Sequence, residues 1–124
     1  MMHMRTKLIW QVLAIFLLIA AGCSRSGVTI GEILDNPDKY DGKRVTVRGE
    51  VVDIRARVSR AGNPYYTFTL RDRTGEIKVF NFGQPVCTDG DKVVVTGKYS
   101  VEKHVGHYTF YNEIDASSGA VVLR

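Results

Sequence analysis

The sequence predicts an all-β fold, a small closed barrel of five strands that follows one short helix. Apolar and polar residues alternate with a period of two from Lys43 onward, which is the pattern of half-buried strands. The phase of this alternation changes inside the first strand, as a bulge that bends the strand requires. Closure into a barrel also removes the exposed edges that a short all-β chain would otherwise present.

Residues 1–22 have the composition of a cleaved signal peptide and are excluded from the barrel. Arg5 and Lys7 make a short positive region, and the apolar run Leu8–Ala21 follows it. A run of about 14 residues is short for a membrane-spanning helix, which needs about 20 residues, but it fits the core of a signal peptide. An uncleaved N-terminal anchor is the alternative, and either segment would put the domain outside the cytoplasm.

The apolar run ends at Ala20–Cys23, AAGC, which resembles the lipobox of bacterial lipoproteins, although that pattern prefers Leu at the position of Ala20. In that family the cysteine is lipidated and becomes the first residue after cleavage. The resemblance implies a lipidated Cys23, a membrane anchor of several acyl chains, and a cell-envelope location that faces the periplasm or the cell exterior. Residues 23–29 then form a short tether, and residues 30–124 form the barrel domain.

The positive charge of the chain is local. The leader holds two basic residues and no acid, so its removal reduces the net charge from +4 to +2. Residues 43–60 hold six basic residues and two acids, a net charge of +4 in a near-neutral domain. The chain has two cysteines, and lipidation of Cys23 leaves Cys87 without a disulfide partner. Cys87 is interpreted as a small, half-buried apolar residue.

One short helix is predicted before the strands. Thr29 and Glu32 form the capping-box pattern, a hydroxyl at the N-cap and an acid three residues later. The apolar residues that follow Thr29 have helical spacing. Asn36 and Pro37 should end or interrupt the helix, because a residue before proline avoids the α region. Residues 38–42 are then predicted to be a loop.

The first strand is predicted to be long and bent. Val45, Val47 and Val51 alternate with polar residues, and after Asp53 the apolar positions take the opposite phase. This change indicates a bulge. Gly49 gives a second place for tight curvature. A long bent strand is needed when one strand serves both halves of a small barrel.

The next two strands are predicted to form a hairpin. Strands at Tyr65–Arg71 and Glu76–Phe82 are joined by a turn at Asp72–Gly75, with Gly75 in the left-handed conformation. The residues predicted to face the core are Tyr66, Phe68, Leu70, Ile77 and Val79. The residues predicted to face outward are Tyr65, Thr67, Thr69, Arg71, Lys78, Phe80 and Phe82.

A second hairpin is predicted in the last part of the chain. Residues 83–91 contain too much Gly and Pro for a helix. A strand at Lys92–Tyr99, a loop at Ser100–Gly106 and a strand at His107–Ile114 follow. The apolar segment Ala120–Leu123 is a candidate to close the barrel edge.

Three pieces of the chain resemble the OB-fold, in the nucleic-acid-binding group that includes aspartyl-tRNA synthetase anticodon domains and exonuclease VII large subunits. They are V-x-V-x-G-x-V in strand one, L-x-D-x-T-G at the hairpin and D-G-D-x-V-x-V-x-G-x-Y in strand four. The motif N-P-x-x-Y-x-G-K at residues 36–43 also resembles short tRNA-anti-like OB proteins. The resemblance covers about residues 30–115 and implies the fold, whereas one fold can serve many functions. It departs from the family at residues 83–91, where a helix is usual.

The resemblance implies that single-stranded nucleic acid would bind the face of strands two and three, beside the loops that join strands one to two and four to five. Such a face needs aromatic rings that stack bases and basic residues that contact phosphates. The candidate binding residues are Arg55, Arg57, Arg60, Tyr65, Arg71, Lys78, Phe80 and Lys103. In the alternative interpretation, Phe80 and Phe82 pack under the helix against Ile33 and Leu34, and the arginines are ordinary solvated charges.

Three functions are open at the level of sequence. The first is a non-enzymatic OB module, tethered to a membrane through Cys23, that binds single-stranded nucleic acid. The second is an envelope module of the periplasmic stress type that binds an acidic protein or a small ligand. The third is a haem or metal carrier that uses His104, His107 and Tyr108, because H-x-x-x-Y at residues 104–108 resembles the attachment motif of the periplasmic haem chaperone of cytochrome c maturation. No catalytic constellation is recognisable, so neither an enzyme nor a cofactor is expected.

Overall fold

A computed structural model describes residues 27–124. The predicted leader, Cys23 and most of the predicted tether lie outside the described residues. The helices are α1 at Ile30–Asp35 and α2 at Pro37–Tyr40, and the strands are β1 at Arg44–Val58, β2 at Pro64–Asp72, β3 at Gly75–Phe82, β4 at Lys92–Val105 and β5 at Tyr108–Leu123. Neither helix has the length and apolar character that crossing a membrane requires.

The five strands close into one barrel in the order β1-β2-β3-β5-β4, and β4 pairs with β1 to complete the ring. All neighbouring strands are antiparallel except β3 and β5, which are parallel. The predicted closed barrel is therefore confirmed, with its 1-2-3 meander and its 4-5 hairpin. The parallel contact is short, from Lys78 beside Glu113 to Phe80 beside Asp115. It brings acids of β5 next to outward residues of β3.

The core lies inside the barrel and follows the period of two. The predicted core residues of β2 and β3 are all buried: Tyr66, Phe68, Leu70, Ile77 and Val79. Valines of β1 and β4, two isoleucines of α1, and Tyr99, Ile114 and Ala116 complete the cluster. Every buried hydrophobic residue of the described part lies between Ile30 and Ala116. Residues 24–124 therefore contain the whole barrel and its core.

A bulge changes the phase of β1, as predicted. The pairing register of β1 and β2 shifts between Val52 and Arg55. Asp53 lies in the shifted segment with a positive φ of 55°. The Asp89 carboxylate accepts a hydrogen bond from the Ile54 N–H at 2.8 Å and holds this backbone in place. Such an extra residue bends the strand and increases its twist.

Gly49 marks the other predicted bend of β1. A side chain at this buried position would begin 2.6 Å from the carbonyl oxygen of Arg71 and 2.9 Å from the side chain of Leu70. Glycine therefore allows β1 to approach β2 closely next to Glu50, where β1 changes its pairing partner from β4 to β2.

The helical segment is interrupted at the proline, as predicted. The Thr29 hydroxyl accepts a hydrogen bond from the Glu32 N–H at 3.2 Å, and α1 ends before Asn36. The predicted loop at residues 38–42 is wrong in its first part, because α2 continues to Tyr40. Proline begins α2, and it suits the first turn of a helix because an N–H there needs no helical partner.

The β2–β3 turn is held by a carboxylate rather than by a left-handed glycine, so the predicted conformation of Gly75 is wrong. The Asp72 carboxylate accepts hydrogen bonds from the N–H groups of Thr74 at 2.7 Å and Gly75 at 3.1 Å. It also accepts the N–H of Ile30 at 2.9 Å, which ties the turn to the start of α1. Burial alone would raise the pKa of Asp72, but these hydrogen bonds lower it below the ordinary value.

The predicted loop at residues 100–106 is wrong, because β4 and β5 continue as a two-stranded ribbon. Pairing of the two strands extends to Val105 opposite Tyr108. Gly106, with a φ of 60°, takes the first central position of the two-residue turn, which suits glycine. The β-branched and aromatic residues of this stretch also favour strands. We call residues 100–112 the arm.

The link and the last segment of the chain agree with the sequence pattern. Residues 83–91 form no helix. Within them, Cys87 is half-buried against the core, and burial raises the pKa of its thiol. Ala120–Leu123 continues β5 and pairs with Val93–Thr96 of β4 after a shift in register. This pairing extends the β4–β5 side of the barrel.

Candidate functional site

The bulge in β1 directs two arginines to the outward side of the barrel. Without an extra residue, Arg55 and Arg57 would have the phase of the buried valines of β1. Asp53 is that extra residue, and Arg55 and Arg57 consequently lie opposite Thr67 and Tyr65 of β2. Directly opposite residues of an antiparallel pair share one face. The fold thus brings both predicted arginines to the outward face of β2.

Three aromatic rings pack together on this face, and we call Tyr65, Phe80 and Phe82 the aromatic face. The ring centroids of Tyr65 and Phe80 are 5.6 Å apart, and those of Phe80 and Phe82 are 5.0 Å apart. Phe82 is 57% exposed, while the other two rings are half-buried. Ile33 of α1 packs into the barrel core, and Leu34 lies beside Gly75 at the opposite end of β3 from Phe82. The alternative in which the two phenylalanines pack under the helix is therefore wrong.

A shallow concavity adjoins the aromatic face at its Phe82 edge. It has a volume of about 410 Å³ and is lined by Asn63, Pro64, Phe82 and Gly83. The Gly83 N–H donates to the Pro64 carbonyl oxygen at 2.9 Å and fixes this wall. A nucleobase has an apolar face of aromatic size, so a concavity beside an exposed ring offers it a second surface.

Lys103 joins the arm to the aromatic face. Its ammonium lies 5.1 Å from the centroid of the Phe80 ring, within the range of a cation–π contact. The same nitrogen is 3.1 Å from a carboxylate oxygen of Asp115 and 3.5 Å from one of Glu113. Two carboxylates therefore already compensate the charge of Lys103. Its position suits holding the arm against Phe80, Glu113 and Asp115 better than contacting a phosphate.

The two carboxylates beside Lys103 have opposite pKa shifts. Burial raises the pKa of Glu113, whose side chain is 6% exposed, and the pull of Lys103 only partly offsets this. Burial alone would also raise the pKa of Asp115, but the hydroxyl and N–H of Ser117 and the Lys103 ammonium lower it. Glu113 is therefore the first of the two to lose its charge as the pH falls.

The remaining basic residues of the face differ in their surroundings. Arg55 is 3.3 Å from Asp53 in an exposed ion pair, which is worth little in water. Arg57 lies opposite Tyr65 and is exposed. Lys78 is exposed on β3, beside Glu113 of β5. Arg60 is exposed in the loop between β1 and β2, at the edge of the face.

Arg71 does not join the aromatic face. It lies six residues from Tyr65 along β2, which is about 20 Å at ~3.3 Å per residue. Its guanidinium donates to Glu50 at 2.6 Å, and Lys92 lies 3.3 Å from the other oxygen of Glu50. The hydrogen bond from Arg71, followed by that from Lys92, lowers the pKa of the Glu50 carboxyl.

The histidine motif of the arm does not converge on one ligand. His104 lies opposite Thr109, and Tyr108 lies opposite Val105. These two pairs are adjacent along the ribbon, so His104 and Tyr108 are on opposite faces. His107 lies in the turn. Among residues 27–124, no three His, Cys, Asp or Glu side chains are grouped as metal ligands would be.

Two aromatic residues of the arm were not among the sequence candidates for base stacking. Phe110 lies opposite Lys103 and therefore on the same side of the arm. The Lys103 ammonium on that side contacts the Phe80 ring. Tyr108 follows on the same side, with its ring centroid 6.5 Å from that of Phe110. Tyr108 and Phe110 are 67% and 41% exposed. Their alternation in YTFY is the signal that predicts them, once the segment is recognised as a strand.

A family comparison agrees with this geometry. Residues 45–113 match the model of the OB-fold nucleic acid binding domain, the tRNA anti-codon type. The match covers more than half of the 124 residues. The chain therefore belongs to the family of OB-fold nucleic acid binding domains. No curated protein matches the chain significantly.

A comparison with solved structures supports the same barrel. The chain is similar to the crystal structure of a candidate nucleic acid-binding lipoprotein from Klebsiella pneumoniae subsp. pneumoniae MGH 78578. The two share 21% sequence identity with a TM-score of 0.52, over 83% of this chain and 96% of the other. At this identity the likeness concerns the fold alone.

Proposed function

We propose that this protein is a non-enzymatic lipoprotein of the cell envelope whose OB barrel binds single-stranded nucleic acid. Its binding surface is the aromatic face together with Arg55, Arg57 and Lys78, and it works without a cofactor. Membership of the OB-fold nucleic acid binding family supports the ligand class. Cys23 is the proposed anchor, supported by the AAGC pattern and by the description of the Klebsiella relative as a candidate lipoprotein.

One observation carries the proposal: the bulge puts Arg57 on the same outward face as Tyr65 and Phe82. Arg57 lies opposite Tyr65, and Tyr65 lies opposite Phe82, so the three residues form one row across the strands. Aromatic rings stack on bases, and each stacked base contributes about 1–3 kcal/mol. Arginines beside the rings supply the salt-dependent attraction for phosphates. Because stacking is tolerant of base identity, the proposal concerns single strands of no particular sequence.

In the second candidate function, the same side of the barrel binds an envelope protein. The arm presents exposed apolar residues, which are typical of protein contacts: Val105, Tyr108, Phe110 and Tyr111. Glu113 and Asp115 also add negative charge next to Phe80, which opposes phosphate binding. An acidic protein that uses Arg57, or a small ligand in the Phe82 concavity, belongs to this candidate.

Fluorescence anisotropy of a labelled single strand, titrated with residues 24–124 at several salt concentrations, tests the first candidate. We expect binding that weakens steeply as salt increases. Tyr65→Ala should reduce affinity with little change in the salt slope, because the ring carries no charge. Tyr111→Ala is the matched control: it removes an equally aromatic, 64% exposed residue of the arm.

The two variants separate the candidates. Equal losses of affinity for Tyr65→Ala and Tyr111→Ala, or flat anisotropy at low salt, would contradict nucleic-acid binding on the aromatic face. A specific envelope protein captured by the wild-type chain but not by Arg57→Glu would favour the protein partner instead.

A further inference from the structure

A second group of positive side chains lies at the other end of β2, and we call it the basic cluster. It consists of Arg48, Arg71, Arg73, Lys92 and Arg124. These residues come from β1, β2, the β2–β3 turn, β4 and the end of β5, and they surround a groove of about 520 Å³ with Glu50 and Asp72. The Arg124 N–H donates to the Lys92 carbonyl oxygen at 2.9 Å, which fixes that side of the groove.

The basic cluster has more positive charge than its acids compensate. Glu50 is bound by Arg71 and Lys92. The Asp72 carboxylate is directed to the backbone of the turn and of α1. Among residues 27–124, Arg48, Arg73 and Arg124 make no ion pair. The side chains of five basic residues and two acids sum to +3 in the groove, so an anion is the ligand class that it suits.

The groove is a poor site for nucleobases. None of the residues that line it is aromatic, and base stacking therefore has no platform there. Arg71 is about 20 Å from Tyr65 along β2. Guanidinium groups without aromatic neighbours favour a ligand that presents phosphate groups alone, since arginine binds phosphate oxygens through paired hydrogen bonds.

The position of the tether indicates where that phosphate comes from. The Val28 N–H donates to the Thr46 carbonyl oxygen at 3.1 Å, so the chain joins the barrel beside β1. Thr46 and Arg48 alternate with buried valines and share the outward side of β1, about 7 Å apart. Cys23 precedes Gly27 by four residues, which span at most about 14 Å. A lipid on Cys23 would hold this end of the barrel against the membrane surface.

We propose that the basic cluster binds the phosphate groups of anionic phospholipids and orients the barrel with its aromatic face away from the membrane. The inference rests on the proposed function only for the lipid on Cys23. Basic residues close to an anionic leaflet each add to membrane binding. The several acyl chains expected on Cys23 already make attachment stable, so the basic cluster would set the orientation of the barrel rather than supply the anchor.

Co-sedimentation of residues 24–124 with vesicles tests the inference without the anchor. We expect binding to vesicles that contain phosphatidylglycerol and none to vesicles of phosphatidylcholine alone. Arg48→Glu/Arg73→Glu should weaken binding by about tenfold or more, because each basic residue near an anionic surface contributes a factor of about five. Arg55→Glu/Arg57→Glu, the matched control with the same change of charge, should bind the vesicles within about twofold of wild type. Circular dichroism checks that each variant is folded, and Arg48→Gln/Arg73→Gln is the milder variant.

Anisotropy with a labelled single strand on the same variants separates this inference from the proposed function. Vesicle binding that is equal for both lipid compositions, or unaffected by Arg48→Glu/Arg73→Glu, overturns the inference. Loss of oligonucleotide affinity as large in this variant as in Arg55→Glu/Arg57→Glu also overturns it, because the cluster would then belong to the nucleic-acid path. Binding of inorganic phosphate that is lost in Arg48→Glu/Arg73→Glu, with no binding of the wild-type chain to anionic vesicles, would assign the groove to free phosphate instead. Failure of the wild-type chain to bind the oligonucleotide, with anionic vesicle binding retained, contradicts the proposed function alone.

Discussion

The two ends of β2 carry similar positive charge among different neighbours. At one end, Arg55 and Arg57 lie near Tyr65, Phe80 and Phe82. At the other end, the basic cluster surrounds Glu50, and no aromatic residue lines its groove. Nucleic-acid binding by an OB barrel needs stacking as well as charge. Only the first end meets both requirements.

This difference shows that positive charge alone is a weak guide to the ligand of so small a barrel. The sequence concentrates positive charge in residues 43–60, yet β1 distributes its arginines to both ends. Arg48 lies before the bulge and joins the basic cluster, whereas Arg57 lies after it, beside Tyr65. The length of the strand separates the two groups, and the extra residue at Asp53 keeps Arg57 on the outward side.

The largest effect should come from removing a ring. Phe80→Ala should lower the affinity for a single strand by about 1–3 kcal/mol, the contribution of one stacked base, and leave anionic vesicle binding unchanged. Anisotropy and co-sedimentation measure the two quantities. Phe80→Leu is the control, because it keeps an apolar side chain in the packing but cannot stack. Full affinity in Phe80→Ala would mean that the aromatic face is structural.

The bulge should be the next most sensitive feature. Asp89→Ala removes the acceptor for the Ile54 N–H, so the free energy of unfolding should fall by about 1 kcal/mol. Oligonucleotide affinity should fall with it, since Arg55 and Arg57 lose their fixed direction, while the basic cluster keeps its vesicle binding. Denaturant unfolding and anisotropy check this. Asp89→Asn retains an acceptor oxygen and should behave like wild type; a weakened Asp89→Asn would point to the charge instead.

Glu113 should give a smaller effect that depends on pH. Its pKa is raised above the ordinary value of 4.5 by burial. As the pH falls through that raised pKa, Glu113 gains a proton and the aromatic face loses one negative charge. Oligonucleotide affinity should therefore increase, and Glu113→Gln should increase it about threefold at neutral pH. Anisotropy as a function of pH measures the affinity of the wild type and of Glu113→Gln. If the wild-type affinity fell as the pH fell through the raised pKa, and that of Glu113→Gln did not, the proposed role of the Glu113 charge would be contradicted.

The same shift has a consequence for stability. The folded state holds the Glu113 proton more tightly than the unfolded state, so this group favours folding below about pH 4.5, and that contribution is lost as the pH rises through the raised pKa. Glu113→Gln should flatten this part of the pH dependence of the free energy of unfolding. Unfolding by denaturant at several pH values provides the measurement.

The strand pattern made most of the barrel predictable, because alternation reports burial directly. It predicts the burial of Tyr66, Phe68 and Leu70, and its change of phase predicts the bulge near Asp53; the structure confirms both. The same alternation puts Arg71 on one side of β2 with Tyr65, which predicts a shared site that the structure does not form. Alternation gives the face on which a side chain lies. The ion pair of Arg71 with Glu50 depends on how β1 pairs with β2, which alternation within β2 does not give.

The arm and the acids of β5 were beyond the reach of local patterns. Residues 100–106 contain polar residues and a glycine, which read as a loop until their pairing with β5 is known. Glu113 and Asp115 come next to β3 through a parallel contact between distant segments. No nearby turn specifies such a contact. The sequence therefore does not predict that Glu113 and Asp115 neutralise the charge of Lys103.

A pair of charge-matched variants tests the central claim, that the bulge end of β2 binds single strands and the opposite end does not. The measurement is the slope of log affinity against log salt for a labelled single strand, in wild type, Arg57→Gln and Arg73→Gln of residues 24–124. We predict that Arg57→Gln makes the slope shallower by about 0.7, the value for one phosphate contact, and that Arg73→Gln leaves it unchanged. A slope that changes equally in both variants would contradict the claim.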